Sequence, residues 1–167
     1  MSQLHLRRPV ACAVGLAPGF IDRFLAGHRR GDQTVLTLRA PLEIAGLAAF
    51  ELERDCAVHI RRADDRATMV ASYQLSWQAT GQGPFPVFHG TLSVDGDDDY
   101  TSCILDLQGG YEPPGGAVGA AFDLAVGHAV AERVCRQLLD DLGIFLETAY
   151  RLEEREKADR RAAIGPG

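Results

Sequence analysis

Apart from one short helical stretch near residue 20, hydrophobic positions along this chain change period once. Up to about Gln108 they alternate in short runs, the period of two that a half-buried strand shows, and beyond that point they recur every three or four positions, as on one face of an α-helix. The long run puts Leu124, Ala131, Val134, Cys135, Leu138, Leu142, Phe145, Ala149 and Leu152 on one stripe. Glu132, Arg133, Arg136, Asp140, Asp141, Glu147 and Arg151 fall between them and face water. The pattern predicts a long one-sided helix over at least Glu132 to Ala149.

The alternating part divides at its Gly, Pro and Asp clusters. Leu6 to Val14 reads as a first strand. Pro18 to Ala26 reads as a short helix, with Pro near its start, Phe20, Ile21, Phe24 and Leu25 at helical spacing, and Gly27 at its end. GHRRGDQ is a turn. Thr34 to Ala40 is a strand with Leu36, Leu38 and Ala40 on one face, and Pro41 limits its central pairing. IAGLAAFELERD, residues 44–55, fits either a helical turn or a strand. Next, Cys56, Val58 and Ile60 alternate with Ala57, His59 and Arg61, and ADDR makes a hairpin turn.

The return strand sets Met69, Ala71, Tyr73, Leu75 and Trp77 on one face and Val70, Ser72, Gln74, Ser76 and Gln78 on the other. After ATGQGP, Phe88, Gly90, Leu92 and Val94 oppose Val87, His89, Thr91 and Ser93. DGDDD turns the chain again. Tyr100 to Gln108 then aligns Cys103, Leu105 and Leu107, and GGYEPPGGAVG is the turn into the long helix. Strands need a cover for their apolar face. The expected fold is therefore α+β: a curved antiparallel sheet of six or seven strands wrapped around a long C-terminal helix, with a short helix after the first strand. Residues 1–152 form the domain, and 153–167 are expected to be a charged, frayed tail.

Net charge and cysteine spacing narrow the function classes. A net charge of −6 over 167 residues shows no basic footprint for nucleic acid. No apolar run reaches the length of a membrane span, and MSQLHLRRPVACAVGLAPG makes a poor signal peptide, so a cytoplasmic location is expected. Cys12, Cys56, Cys103 and Cys135 stand far apart without a CxxC, which reads as four free thiols. His5, His28, His59, His89 and His128 have no ligand spacing, so no metal is expected. There is no GxSxG, and the Gly-rich turn lacks the endings of a phosphate loop. DGDDD is too short for an EF-hand loop. No catalytic residue and no cofactor follow from these patterns.

SWQATGQGPFPVFHGTLSV, then LDLQGGYEPPGGAVGAAFD, then VAERVCRQLLDDL resemble bacterial members of the SRPBCC superfamily, the START-like or helix-grip proteins. The likeness covers about Ala40 to Ala149 and lies in scaffold patterns: a Trp-ending strand, an FPxF-G-x-L strand, a G-Y-x-P-P-G turn and a closing helix. It implies an apolar cavity between sheet and helix. The lining residues expected from it are Tyr73, Trp77, Phe88, Cys103, Leu105, Leu138, Leu142 and Phe145. Ligand contact and plain core packing are both open for these side chains, and a buried Tyr or Trp wants a partner for its polar atom. Tyr111 reads as structural in its turn, and Asp123 as a helix-start carboxylate.

The function implied is binding or carriage of a hydrophobic or aromatic small molecule, without nucleic acid and without membrane insertion. A polyketide cyclase or dehydratase-like enzyme, or a protein-interaction module with a filled core, are the alternatives. Oligomeric state does not follow from the sequence.

Overall fold

The computed structural model describes residues 2–42, 50–63, 70–80, 85–96, 100–112 and 120–164. Its elements are β1 (Ser2–Val10), α1 (Ala17–Gly27), β2 (Arg29–Arg30), β3 (Gln33–Leu42), β4 (Phe50–Arg62), β5 (Ala71–Ala79), β6 (Val87–Gly96), β7 (Cys103–Glu112) and α2 (Ala120–Ile164). All seven strands form one antiparallel sheet in the order β1-β7-β6-β5-β4-β3-β2. Helix α2 packs against both β1 and β3, which lie toward opposite edges of that sheet, so the sheet curves around the helix. This is the expected α+β architecture, with the short helix α1 after the first strand.

Several boundaries differ from the sequence reading, each for a local reason. The first strand ends at Val10 rather than Val14, because it pairs with β7 from Ser2↔Tyr111 to Val10↔Cys103 and the Cys12 N–H then turns back to the Val10 carbonyl. Pro9 is tolerated because β1 is an edge strand. Within the supposed turn GHRRGDQ, Arg29 and Arg30 pair with Thr34 and Gln33 as a seventh strand. Gly31 closes that hairpin at a φ of 64°, a left-handed conformation that favours glycine. Strand β4 begins at Phe50, which settles Phe50 to Asp55 as strand.

Strand β7 continues through Gly109, Gly110 and Tyr111, so these three belong to the sheet and not to the turn. The rest of the expected turns lie outside the described residues: 64–66 of ADDR, 81–84 of ATGQGP, 97–99 of DGDDD and 113–119 of the Gly/Pro run. So do residues 44–49, and the side chains of Asp123 and Leu124.

The core lies between the concave face of the sheet and α2. Its α2 side is built from Val130, Ala131, Val134, Cys135, Leu138, Leu139, Leu142 and Leu146, all buried. Within the described residues the expected stripe holds from Ala131 through Leu142 and then drifts. Phe145 and Ala149 are half-buried, and Leu152 is 54% exposed. Steps of 3.5 residues walk slowly around a helix that turns every 3.6, so the buried line passes from Leu142 to Leu146.

A charge also sits on the apolar side. Leu4, Leu6, Arg8 and Val10 share the inner face of β1, since their β7 partners are Gly109, Leu107, Leu105 and Cys103. Arg8 reaches α2, donating to Asp140 at 2.9 Å and lying 3.6 Å from Glu147. Its guanidinium occupies the notch over Gly143, where a Cβ would overlap it. A glycine inside a helix costs about 1 kcal/mol against alanine, and this notch is its packing reason.

Helix α2 continues through 153–164, the segment expected to fray. Glu, Arg, Lys and Ala there favour helix intrinsically, and Lys157 bridges Glu153 and Glu154 at 3.3 and 2.9 Å. At 45 residues, α2 is about 67 Å long, roughly twice the length of a ten-residue strand. Its last turns therefore run beyond the sheet, which agrees with their exposure.

Candidate functional site

Three aromatic side chains form a row across the concave face at one end of the sheet. Trp77 on β5 lies directly opposite Phe88 on β6, and Phe88 directly opposite Tyr111 on β7. All three are buried. The Trp77 and Phe88 rings stack at 4.3 Å between centroids and 16° between planes. Beside Phe88, Gly90 and Gly109 also face each other across β6 and β7. A Cβ on either glycine would come within 2.6 Å of the tip of the Phe88 ring. Two missing side chains thus make the bed on which Phe88 lies, and Phe88 in turn supports Trp77.

Polar atoms in this row have unequal fates. The Tyr111 hydroxyl is 2.9 Å from Nδ1 of His128, an exposed residue of α2. Trp77 is 2% exposed, and its Nε1 has no hydrogen-bond partner. A buried unsatisfied donor costs about 1–3 kcal/mol, so natural cores rarely keep one without reason. The row can therefore offer flat apolar surface and one unused N–H donor.

The structure does not gather the other expected lining residues there. Tyr73 lies at the opposite end of the concave face, where its hydroxyl donates to the Pro18 carbonyl at 3.2 Å and lies 3.3 Å from Asp22, tying β5 to α1. Phe145 packs edge-on against Phe24 of α1, with centroids 5.3 Å apart, and so belongs to the seam between the helices. Leu105 is fully buried in the core. Cys103 is buried, as is Cys12, whose thiol donates to the Ala13 carbonyl at 3.6 Å.

Leu138 and Leu142 line a cavity of about 20 Å³, together with Phe24, Leu36, Leu75 and Leu107. One water needs roughly 10–15 Å³ of such space, and small-molecule sites run to about 300–1,000 Å³. The middle of the sheet–helix interface is filled by side chains.

Among the described residues no group of three or more His, Cys, Asp or Glu is placed to hold a metal ion. His59 and His89 are exposed on the outer face, as read from the alternation. His5 instead joins a cluster on that face: its Nε2 lies 3.0 Å from Asp106, which also receives Arg7 at 3.2 Å and Gln108 at 2.9 Å. All four cysteines are free and buried. Burial pushes the Cys56 and Cys135 thiols up to about 12. Cys12 is pushed higher still, first by its hydrogen bond with Cys103 and then by burial. Cys103 is lowered, first by its interaction with Cys12, but it is buried, and a nucleophile needs a stabilised thiolate at an accessible site.

Sequence reasoning found Trp77 and Phe88 but missed four partners. In the sequence, Tyr111 and Gly109 read as part of the turn into the long helix, Gly90 only as a position on the Phe88 face, and His128 only as a histidine without ligand spacing. The available signal was register: aligned hairpins put a bulky ring next to two facing glycines.

No family model matches the chain, and no curated protein does. Among solved structures it is similar to an uncharacterized protein from Bacillus thuringiensis, at 12% identity and a TM-score of 0.45 over 89% of this chain and 98% of that one. Among the described residues no helix is long and apolar enough to cross a membrane.

Proposed function

We propose that this chain is a START-like binding protein that takes a small, largely apolar or aromatic molecule between the sheet and α2, non-covalently. The observation that carries the reading is the unused indole N–H of Trp77, buried on the concave face within a row of aromatic rings. A ligand with a flat apolar body and one hydrogen-bond acceptor answers both features. Since the cavity among Leu75, Leu107 and Leu142 holds no more than about one water, binding between sheet and helix has to displace side chains of the interface. The free thiols fit a reducing compartment.

The small cavity also favours a second reading, a protein-interaction module with a filled core. One titration separates the two. Trp77 is the sole tryptophan, so its emission reports on the site directly. Fatty acids, sterols, flavonoids and aromatic polyketides are titrated against it, and native mass spectrometry of the purified protein reads any carried molecule. The binding reading expects saturable quenching at micromolar concentration. Calorimetry on Trp77→Phe, which keeps the stack and loses the donor, should show affinity about tenfold weaker for the loss of one hydrogen bond. No binding across the panel and no carried molecule would sink this reading and leave the interaction module.

A further inference from the structure

We infer that the outer face of β4, β5 and β6 carries a second site, one that takes a small molecule through a phosphate group. It lies on the side of the sheet opposite the aromatic row and does not depend on that row. Strand register creates it. His59 pairs with Ser76 and Ser76 with His89, while Arg61 pairs with Gln74 and Gln74 with Thr91. Residues directly opposite share a face, and adjacent strands are about 4.8 Å apart, so these six side chains form two parallel rows of three, each about 10 Å across.

All six side chains can donate hydrogen bonds, and none is a carboxylate. Five are exposed and Ser76 is half-buried. On a chain with 23 acidic and 17 basic residues, two adjoining rows free of acid and holding an arginine and two histidines run against the average. They help line an open region of about 1010 Å³ that also takes in Val58, Ile60 and Leu75 of the apolar face and passes round β4 beyond Val58, where β3 no longer pairs with it, to a far wall formed by α1 and the β2–β3 turn.

That wall brings both signs of charge: Arg29, Asp22 and Asp32. Asp22 is already engaged with Arg62 at 3.2 Å and with the Tyr73 hydroxyl. On the floor, Arg61 donates to Gln74 at 2.9 Å, which holds its guanidinium level with the row. Phosphate is the group that suits this floor. Its several oxygens point in different directions and can engage both rows at once, whereas a single carboxylate offers two oxygens in one plane. Arginine, imidazole and hydroxyl donors together are the usual partners of such oxygens.

The test is calorimetric titration of the full chain with inorganic pyrophosphate, and with citrate as the carboxylate control, at low salt. Imidazole resonances of His59 and His89 are followed in parallel by nitrogen-edited NMR. Saturable pyrophosphate binding that moves both imidazole signals is expected. Affinity should fall on the order of tenfold in Arg61→Gln and again in the double variant His59→Ala with His89→Ala, each of these residues being exposed and outside the core. Arg39→Gln, on the same face outside the region, should bind as wild type. An absence of saturable binding would overturn the inference, and so would binding that the floor variants leave unchanged. Citrate binding as tightly at the same residues would overturn the assignment to phosphate.

Discussion

Adding one methyl group at Gly109 tests the packing under the aromatic row. A Cβ there would overlap the His89 carbonyl oxygen and stand 2.6 Å from Cζ of Phe88 and 2.7 Å from Cα of Gly90. Comfortable carbon contacts are about 3.5–4.0 Å, so each neighbour must retreat by roughly 1 Å. Two of the three atoms are backbone in a paired strand and cannot rotate away. Either β6 and β7 part locally or the Phe88 ring lifts, and the ring is what Trp77 stacks on.

Overpacking of this kind costs about 1–3 kcal/mol, and an aromatic stack adds about 0.5–1.5 kcal/mol, so Gly109→Ala should lose about 3 kcal/mol. For a chain of 167 residues that is a melting temperature lower by about 6–12 °C. Scanning calorimetry with tryptophan emission recorded alongside reads both effects, and the emission should shift as the stack loosens. Gly19→Ala is the control: this glycine is exposed in α1 with nothing within 4 Å of an added Cβ, so the variant should gain up to about 1 kcal/mol. If Gly109→Ala melts within about 2 °C of wild type with unchanged emission, the glycine-bedded stack is wrong.

Two further outcomes are expected. Leu142 is 4% exposed against the sheet, so Leu142→Asp should cost more than about 3 kcal/mol in urea unfolding, and a midpoint close to wild type would show that this face of α2 is not buried. Cys56 and Cys135 have thiols raised from 9.0 to about 12 by burial, so between those values the folded chain keeps protons that the unfolded chain has lost. Stability must then fall as pH rises above 9, by up to about 1.4 kcal/mol per pH unit for each thiol, with no contribution below that window. Unfolding free energies from pH 8 to 10.5 should slope less in Cys56→Ala with Cys135→Ala than in wild type, and equal slopes would refute the assignment.

Periodicity alone determined most of the architecture. The alternation from Cys56 to Leu107 named both faces of four strands, because a side-chain period of two leaves no other way to bury Tyr73, Leu75, Trp77, Leu92 and Leu105 together. The three-and-four stripe did the same for α2 from Ala131 as far as Leu142. What the sequence could not decide were relations between elements. Arg8 lies on the apolar face of β1, legible as a break in the alternation of Leu4, Leu6 and Val10, but only tertiary packing supplies Gly143 to receive it and Asp140 to pair it.

The candidate site follows the same division. Trp77 and Phe88 were readable as inward aromatics, while the Tyr111–His128 contact and the glycine bed depend on register between strands and on where α2 crosses them. Tyr73 and Phe145, which the resemblance grouped with Trp77 as lining residues, were drawn away by α1. A local pattern reports which way a side chain points. It carries no information on what has been packed in front of it, and that decided whether the space between sheet and helix was a ligand-sized cavity or one about 20 Å³ in volume.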